Sequence, residues 1–282
     1  MNIKVTLFYF SGTGNTWWVT KKIAEKLNDQ NIATTIRSIE SDKVSNQESI
    51  KEIITKSDII GFGYPIYGSD IPDTFKEFIT KLPKVEGKKA FVYTTMMIFS
   101  GDGAMVAARK LRKKGFKVKQ AVNIQMFNNV RLPYIFLRNF KVRNGEETIP
   151  IKKKAEKKIE KLVTKIINEK KWLQGRDPFN ISVGLMQRIP VRMIGFSFFA
   201  KYYFVNMETC TECMHCVEYC PMNNISYEDG EFTFGKKCIA CTRCYNFCPE
   251  DAIQHKKGTL DRKRYPRYKG PGDNFKVNAL KK

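Results

Sequence analysis

All eight cysteines of the chain fall between Cys210 and Cys248, in two copies of one phrase. The first is Cys210, Cys213, Cys216 and Cys220 followed by Pro221; the second is Cys238, Cys241, Cys244 and Cys248 followed by Pro249. Each copy reads C-x2-C-x2-C-x3-C-P, a run that bacterial proteins use to hold 4Fe-4S clusters, with the fourth thiolate crossing to the other cluster. Zinc also takes C-x2-C pairs, but a repeated x2-x2-x3-P rhythm over eight cysteines is far more specific. A radical-SAM cluster would need C-x3-C-x2-C and one open iron, and that spacing is absent.

The crossing assigns the metal ligands. One 4Fe-4S cluster takes Cys210, Cys213, Cys216 and Cys248, and the second takes Cys238, Cys241, Cys244 and Cys220. Four thiolates per cluster leave no vacant iron, so the clusters are expected to carry electrons rather than bind substrate. Between the copies, ISY at 225 to 227 and EFTF at 231 to 234 flank Asp229-Gly230, the signature of a small hairpin inside a pseudo-symmetric repeat. His215 and His255 stand near the motifs, either to tune a cluster through a hydrogen bond to sulfur or as incidental residues.

With no cysteine left for a disulfide, the usage is that of metal sites in a reducing compartment. The N-terminus enters an apolar strand at once without a secretory pattern, and cytoplasmic residence is expected. The apolar segment 193 to 200 is too short to span a bilayer. A length of 282 residues with 42% hydrophobic content suits two domains with real cores.

The net charge of +22 is uneven. Residues 1 to 104 hold 13 Lys/Arg against 12 Asp/Glu, residues 105 to 200 hold 23 against 6, and residues 201 to 282 hold 14 against 10. The basic middle would attract nucleic acid, anionic lipid or an acidic protein, or is simply a solvated surface.

Residues 3 to 10 (IKVTLFYF) form a nearly continuous apolar run, as expected of a strand buried on both faces. It ends in Ser11-Gly12-Thr13-Gly14-Asn15-Thr16, and then Val19, Ile23 and Leu27 recur at helical spacing. A loop between strand and helix lets backbone N–H groups and a helix N-terminus collect a phosphate. Neither G-x4-G-K-[ST] nor G-x-G-x-x-G is present. Hydroxyls and amides around two glycines, without a cation, suit the single terminal phosphate of a mononucleotide such as FMN. A plain Gly-rich turn with a capping hydroxyl is the bland alternative.

Further strands are expected at residues 32 to 39, 58 to 63, 89 to 95 and 118 to 126, with helices at 48 to 56, 73 to 80, from about 104 through 114, and 150 to 172. The loops holding Tyr64, Pro65 and Tyr67, and Ser100, Gly101 and Asp102, then share with the first loop the carboxyl edge of a doubly wound sheet, where such folds bind ligands. Trp17 and Trp18 are expected in the core. Residues 127 to 149 mix Arg131, Arg138, Lys141 and Arg143 with Leu132, Tyr134, Phe136, Leu137 and Phe140. RNA binding, packing over a flavin edge and partner docking are all open for it.

On FSGTGNT as a phosphate loop and YPIYG as a loop beside a flavin ring, the first 175 residues resemble flavodoxins. Joined to the cysteine repeat, the whole chain resembles the flavodoxin-ferredoxin fusion family of anaerobic bacteria and archaea. The resemblance implies a flavodoxin-like α/β domain with strand order 2-1-3-4-5, followed by a small α+β ferredoxin domain with two 4Fe-4S clusters. It implies FMN bound through Ser11, Gly12, Thr13, Gly14, Asn15 and Thr16 at the phosphate, with Tyr64, Pro65, Tyr67, Ser100, Gly101 and Asp102 at the ring. Two departures stand out: flavodoxins are acidic and this chain is basic, and the Tyr/Pro loop lacks the Trp that often stacks on the ring.

The expected organisation is a flavodoxin-like FMN-binding domain at 1 to 175, an apolar linker helix at 176 to 206 kinked at Pro190, a ferredoxin domain at 207 to 262, and a basic tail at 263 to 282. The linker reads as a clamp between domains in preference to a membrane-surface helix. The tail either wraps back on a domain or is disordered. The expected function is electron transfer between FMN and the two clusters and on to partner redox proteins, with no specific nucleic acid and no catalytic side chain. Two alternatives remain: an FMN-dependent reductase of a small molecule or quinone, and a nucleic-acid-binding protein with structural or sensing clusters. Oligomeric state is not legible.

Overall fold

The computed structural model describes residues 3–135, 137–272 and 274–281, so Phe136 of the basic-aromatic stretch lies outside the described residues. Strands β1 (Lys4–Tyr9), β2 (Ala33–Ser38), β3 (Ile59–Pro65), β4 (Lys89–Met96) and β5 (Lys117–Gln125) alternate with helices α1 (Asn15–Asn28), α2 (Gln47–Lys56), α3 (Asp73–Lys81) and α4 (Gly103–Lys113). Helix α5 (Ile149–Ile167) returns the chain to a two-residue sixth strand, β6 (Trp172–Leu173). All six strands pair in parallel, in the order β2-β1-β3-β4-β5-β6. The expected order is thus correct with one edge strand added.

Period-two alternation divides the strands between two cores. On β4, Phe91 and Tyr93 face α1 and α5, while Ala90 and Val92 face α2, α3 and α4. Trp18 is buried in the first of these cores, and Trp17 packs at its edge. Helix α5 stops at Ile167 and does not reach Trp172, because Glu169 takes a left-handed φ of 52° and its carboxylate pairs with Lys89 and Lys119, both at 2.5 Å. Trp172 then belongs to β6.

Helix α6 (Pro178–Ile194) runs through Pro190 as one element, opened by Asp177, whose carboxylate accepts the Asn180 N–H at 3.0 Å. The short α7 (Ser197–Ala200) follows. Strand β7 (Tyr203–Val205), inside the range expected as linker, pairs antiparallel with β10 (Ile253–His255), so it is part of the cysteine-rich fold. That fold also contains α8 (His215–Glu218), the hairpin β8 (Ile225–Glu228) and β9 (Glu231–Phe234), and α9 (Arg243–Phe247). The hairpin turns at Asp229 and Gly230, both with positive φ.

The tail wraps back on the first domain. Tyr268 joins the α1/α5 core, Leu280 is fully buried, and the carbonyls of Ala279 and Leu280 accept from the Tyr9 and Ser38 hydroxyls at 3.0 and 2.6 Å. Among the described residues no helix is long and apolar enough to cross a membrane.

Candidate functional site

The loop from Ser11 to Thr16 leaves β1 at the carboxyl edge of the sheet and becomes α1. Gly14 stands at the N-cap with φ 107°, and no side chain caps the helix there. The first-turn N–H groups of a 14-residue helix therefore face the loop region without a competing cap, a geometry suited to an anion. The side chains shape the loop. Ser11 Oγ accepts the Gly14 N–H at 3.0 Å, the Thr16 and Thr95 hydroxyls bond at 2.8 Å, and Asn15 Nδ2 donates to the Phe127 carbonyl at 3.0 Å. Thr13 Oγ1 accepts from Asn129.

The outer side of this loop is held by the cysteine-rich fold. Arg243, lying between Cys241 and Cys244, donates from Nε to the Gly12 carbonyl at 2.9 Å and from Nη2 to the Ser11 carbonyl at 2.8 Å. Its two terminal nitrogens also grip both Glu40 oxygens, at 2.7 and 2.8 Å, and Nη1 reaches the Tyr219 carbonyl at 3.0 Å. The side chain is fully buried. A desolvated guanidinium needs such a saturated set of acceptors, and a bidentate carboxylate matches its planar fork.

Beside the loop opens a cavity of about 460 Å³, within the range of small-ligand sites. Ser11, Gly12, Thr13, Asn15 and Thr16 line one end. Pro65 and Tyr67, Met96 and Met97, and Met126 through Val130 come from the ends of β3 and β4 and the loops after β3, β4 and β5. Pro190, Val191 and Ile194 of α6, with Phe196 and Phe199, close another side. Ala240, Cys241 and Thr242 complete the wall. An apolar slot with a hydrogen-bonding loop at one end fits a flat ring carrying a phosphate. It also brings a cysteine of the repeat to the same surface as the loop.

The repeat is built as two matching halves. Left-handed residues recur at equal offsets in both copies: Glu212 and Ala240, Met214 and Thr242, Asn223 and Asp251. So do N–H to sulfur bonds. Glu212 N donates to Cys210 and Ala240 N to Cys238, both at 3.4 Å, while Asn224 N donates to Cys220 at 3.3 Å and Ala252 N to Cys248 at 3.2 Å. These turns aim backbone dipoles at the sulfurs, which stabilises thiolate and would tune a cluster held there.

Electrostatics groups the cysteines across the copies. Burial pushes the Cys216 thiol up to about 11, with Cys248 and Cys210 adding to it. Burial pushes Cys241 up to about 12, with the Arg243 charge pulling the other way and Cys238 and Cys220 adding. Cys244 is raised by burial first and then by Cys241, Cys238 and Cys220, with Cys216 of the first copy adding last. Cys220 therefore sits among the second copy's thiols and Cys248 beside those of the first. Buried sulfurs disfavour the bare thiolate, and coordination to a metal cation stabilises it, so the donor set fits iron.

Residues 6–133 match the family model of a flavodoxin domain, and residues 209–253 match that of a 4Fe-4S dicluster domain. The chain is an N-terminal flavodoxin joined to a C-terminal ferredoxin domain. Solved structures it is similar to include a flavodoxin from the domain Archaea, at 15% identity over 57% of this chain and 99% of that one, with a TM-score of 0.38. Two others are rubredoxin oxygen:oxidoreductase from Desulfovibrio gigas (16% identity, TM-score 0.40) and a mutant flavo di-iron protein from Thermotoga maritima (19%, TM-score 0.41). The match covers 58% and 59% of this chain but only 37% and 35% of those longer ones. No curated protein matches the chain.

Not every residue expected at the flavin ring reaches the cavity of this flavodoxin-ferredoxin chain. Tyr64 points into the opposite core because β3 alternates, and there it packs on Phe75 and donates to the Gly103 carbonyl at 2.8 Å. Ser100, Gly101 and Asp102 form the seat of α6. Asp102 is fully buried and pairs with Arg109 and Arg188, while a Cβ on Gly101 would lie 2.6 Å from Gly184 Cα. A buried carboxylate needs such cations. The signal that α6 docks here is the arginine pair Arg188 and Arg192, whose partners Asp102 and Asp70 sit in the ring loops.

The residues missed from the sequence are Met96, Met97, Met126, Asn128, Asn129 and the Arg243 clamp. The loop after β5 carries no motif, and Arg243 occupies a variable position of the cysteine phrase. Neither histidine bonds a cysteine sulfur among the described residues. His255 is buried among Tyr134, Tyr202 and Tyr203, and burial lowers it to about 4. His215 packs on Tyr219.

Proposed function

We propose that this electron-transfer flavo-iron-sulfur protein passes electrons between FMN, held in the cavity beside the phosphate loop, and two 4Fe-4S clusters, and from there to partner redox proteins. The observation that carries the reading is the shared wall: Gly12 and Tyr67 of the flavodoxin domain and Cys241 of the ferredoxin domain line one cavity. Bound there, a flavin supplies chemistry in one- or two-electron steps, and clusters accept electrons singly.

The chain's residues do the placing. The α1 N-terminus and the loop hydroxyls take the phosphate, Arg243 keeps the Ser11 and Gly12 carbonyls turned away from it, and Tyr67 stands between ring and cluster loop. Pro190, Val191, Phe196 and Phe199 keep water from one side of the ring. Cys210, Cys213, Cys216 and Cys248 are the proposed ligands of one cluster, and Cys238, Cys241, Cys244 and Cys220 of the other. The electrostatic grouping of Cys220 with the second copy and of Cys248 with the first supports that crossing.

The test is anaerobic purification with iron, sulfide and flavin assayed together. About eight irons and one FMN per chain are expected. Full iron without flavin uptake would reduce the first domain to a docking platform and overturn the proposal.

A further inference from the structure

Helix α6 has two faces of different use. Gly184 and Arg188 are buried against the flavodoxin loops, and Pro190, Val191 and Ile194 line the cavity. Away from Gly184 and Arg188, Phe179, Met186, Ile189 and Met193 are 71, 69, 53 and 82% exposed, with exposed Pro190 and Ile194 at their border. Their spacing puts them on one stripe of the helix, and Phe198 of α7 extends it. A protein surface in water rarely leaves a contiguous apolar stripe of this kind uncovered.

The surroundings are cationic. Helix α6 carries no Asp or Glu. Arg176 and the capping Asp177 precede it, Arg192 on it is half-exposed and pairs with Asp70, and Lys201 follows α7 with its ammonium 3.9 Å from the Phe198 ring centre. Arg109 and Arg112 of α4 lie within electrostatic reach of each other, and Arg176 reaches Arg112. An apolar ridge with cations at its borders matches a surface that is negative outside and hydrocarbon inside. A protein partner would ask for about one hydrogen bond per 100–200 Å², and between Phe179 and Met193 the exposed positions offer only Ser182 and Arg192 as polar groups.

We propose that the outer face of α6, with Phe198, docks on an anionic lipid bilayer, the helix lying in the interface with Arg176 and Lys201 against lipid phosphates. Pro190 and Ile194, which wall the cavity, border this stripe on the same helix. Docking then brings this wall of the cavity beside the bilayer surface. The proposal is independent of whether the cavity holds FMN, because it rests on the outer face alone.

The test is sedimentation of the full, anaerobically purified chain with vesicles. Binding is expected to vesicles of mixed phosphatidylcholine and phosphatidylglycerol, weakening as salt rises, and to be much weaker to phosphatidylcholine alone. Met186→Glu with Met193→Glu is expected to weaken binding at least about tenfold, with iron and flavin content unchanged. Arg176→Gln is expected to weaken it about fivefold. The proposal is overturned by absence of binding to anionic vesicles, by equal binding to neutral ones, or by unchanged binding of the double glutamate variant. It is equally overturned if the face proves to be covered by a second copy, seen as a dimer that the same double variant dissociates.

Discussion

The Nε of Arg243 lies 2.9 Å from the Gly12 carbonyl oxygen, and this contact joins the phosphate loop of one domain to the cysteine phrase of the other. Because Glu40 completes the set, the guanidinium is both buried and neutralised. The position of the second cluster loop and the shape of the flavin loop are therefore one structural variable.

Replacing Arg243 by Met leaves Glu40, which is only 10% exposed, without its cation. A loss of about 3 kcal/mol or more is expected, read as a lower melting midpoint, together with weaker FMN binding in a fluorescence titration. Arg243→Lys is expected to restore little, since an ammonium cannot serve Glu40 and two carbonyls in one plane. Adding Glu40→Gln to Arg243→Met should recover part of the stability; no recovery would show that the pair is not the staple.

The approach of the two loops leaves no room for a methyl group at Gly12. A Cβ there would lie 2.6 Å from the Tyr67 hydroxyl and 3.2 Å from Cys241 Cβ and carbonyl oxygen. Gly12→Ala is expected to cost about 1–3 kcal/mol and to weaken FMN binding while the iron content stays full. Tyr67→Phe in the same chain removes the closest clash and should return part of the affinity.

Tyr268 ties the tail to the loop, its hydroxyl donating to Asn15 Oδ1 at 2.9 Å while its ring packs on Phe127. Tyr268→Phe should lose about 1 kcal/mol, the worth of one hydrogen bond. Tyr268→Ala should lose about 3–5 kcal/mol through the cavity left in the α1/α5 core. Denaturant melts of the two variants compare these directly, and equal losses would mean that the hydroxyl rather than the ring carries the contact.

His255 makes the fold sensitive to acid. Burial holds it near 4, below the value of about 6.5 expected in an unfolded chain. Between those values the unfolded chain binds the extra proton, so the stability His255 provides is present above pH 6.5 and drains as pH falls toward 4. About 2 kcal/mol should be lost between pH 7 and pH 5. His255→Phe should flatten that part of the stability profile, measured by thermal melts at each pH; an unchanged slope would exclude His255 as its source.

Much of this architecture was legible in residue spacing. Alternation on β1, β3, β4 and β5 and the four-residue period of Val19, Ile23 and Leu27 are local patterns, and the sheet built from them has the expected order. Position on a face was harder: Tyr64 reads like a ring-stacking loop residue, yet it is the last core position of β3 before Pro65 turns to the cavity. Asp102 reads like a ring contact, yet the cations that claim it are Arg109, in the helix it precedes, and Arg188, far along the chain.

By itself the sequence determined the cysteine spacing, the loop from Ser11 to Thr16 and the turns that hold both, because these depend on neighbours a few residues apart. Only the tertiary structure decided that Arg243 of the second motif would grip Ser11 and Gly12, and that α6 and the tail would close around the same site. Those contacts join residues far apart in the chain, and no local periodicity encodes which buried carbonyl or carboxylate a guanidinium will find.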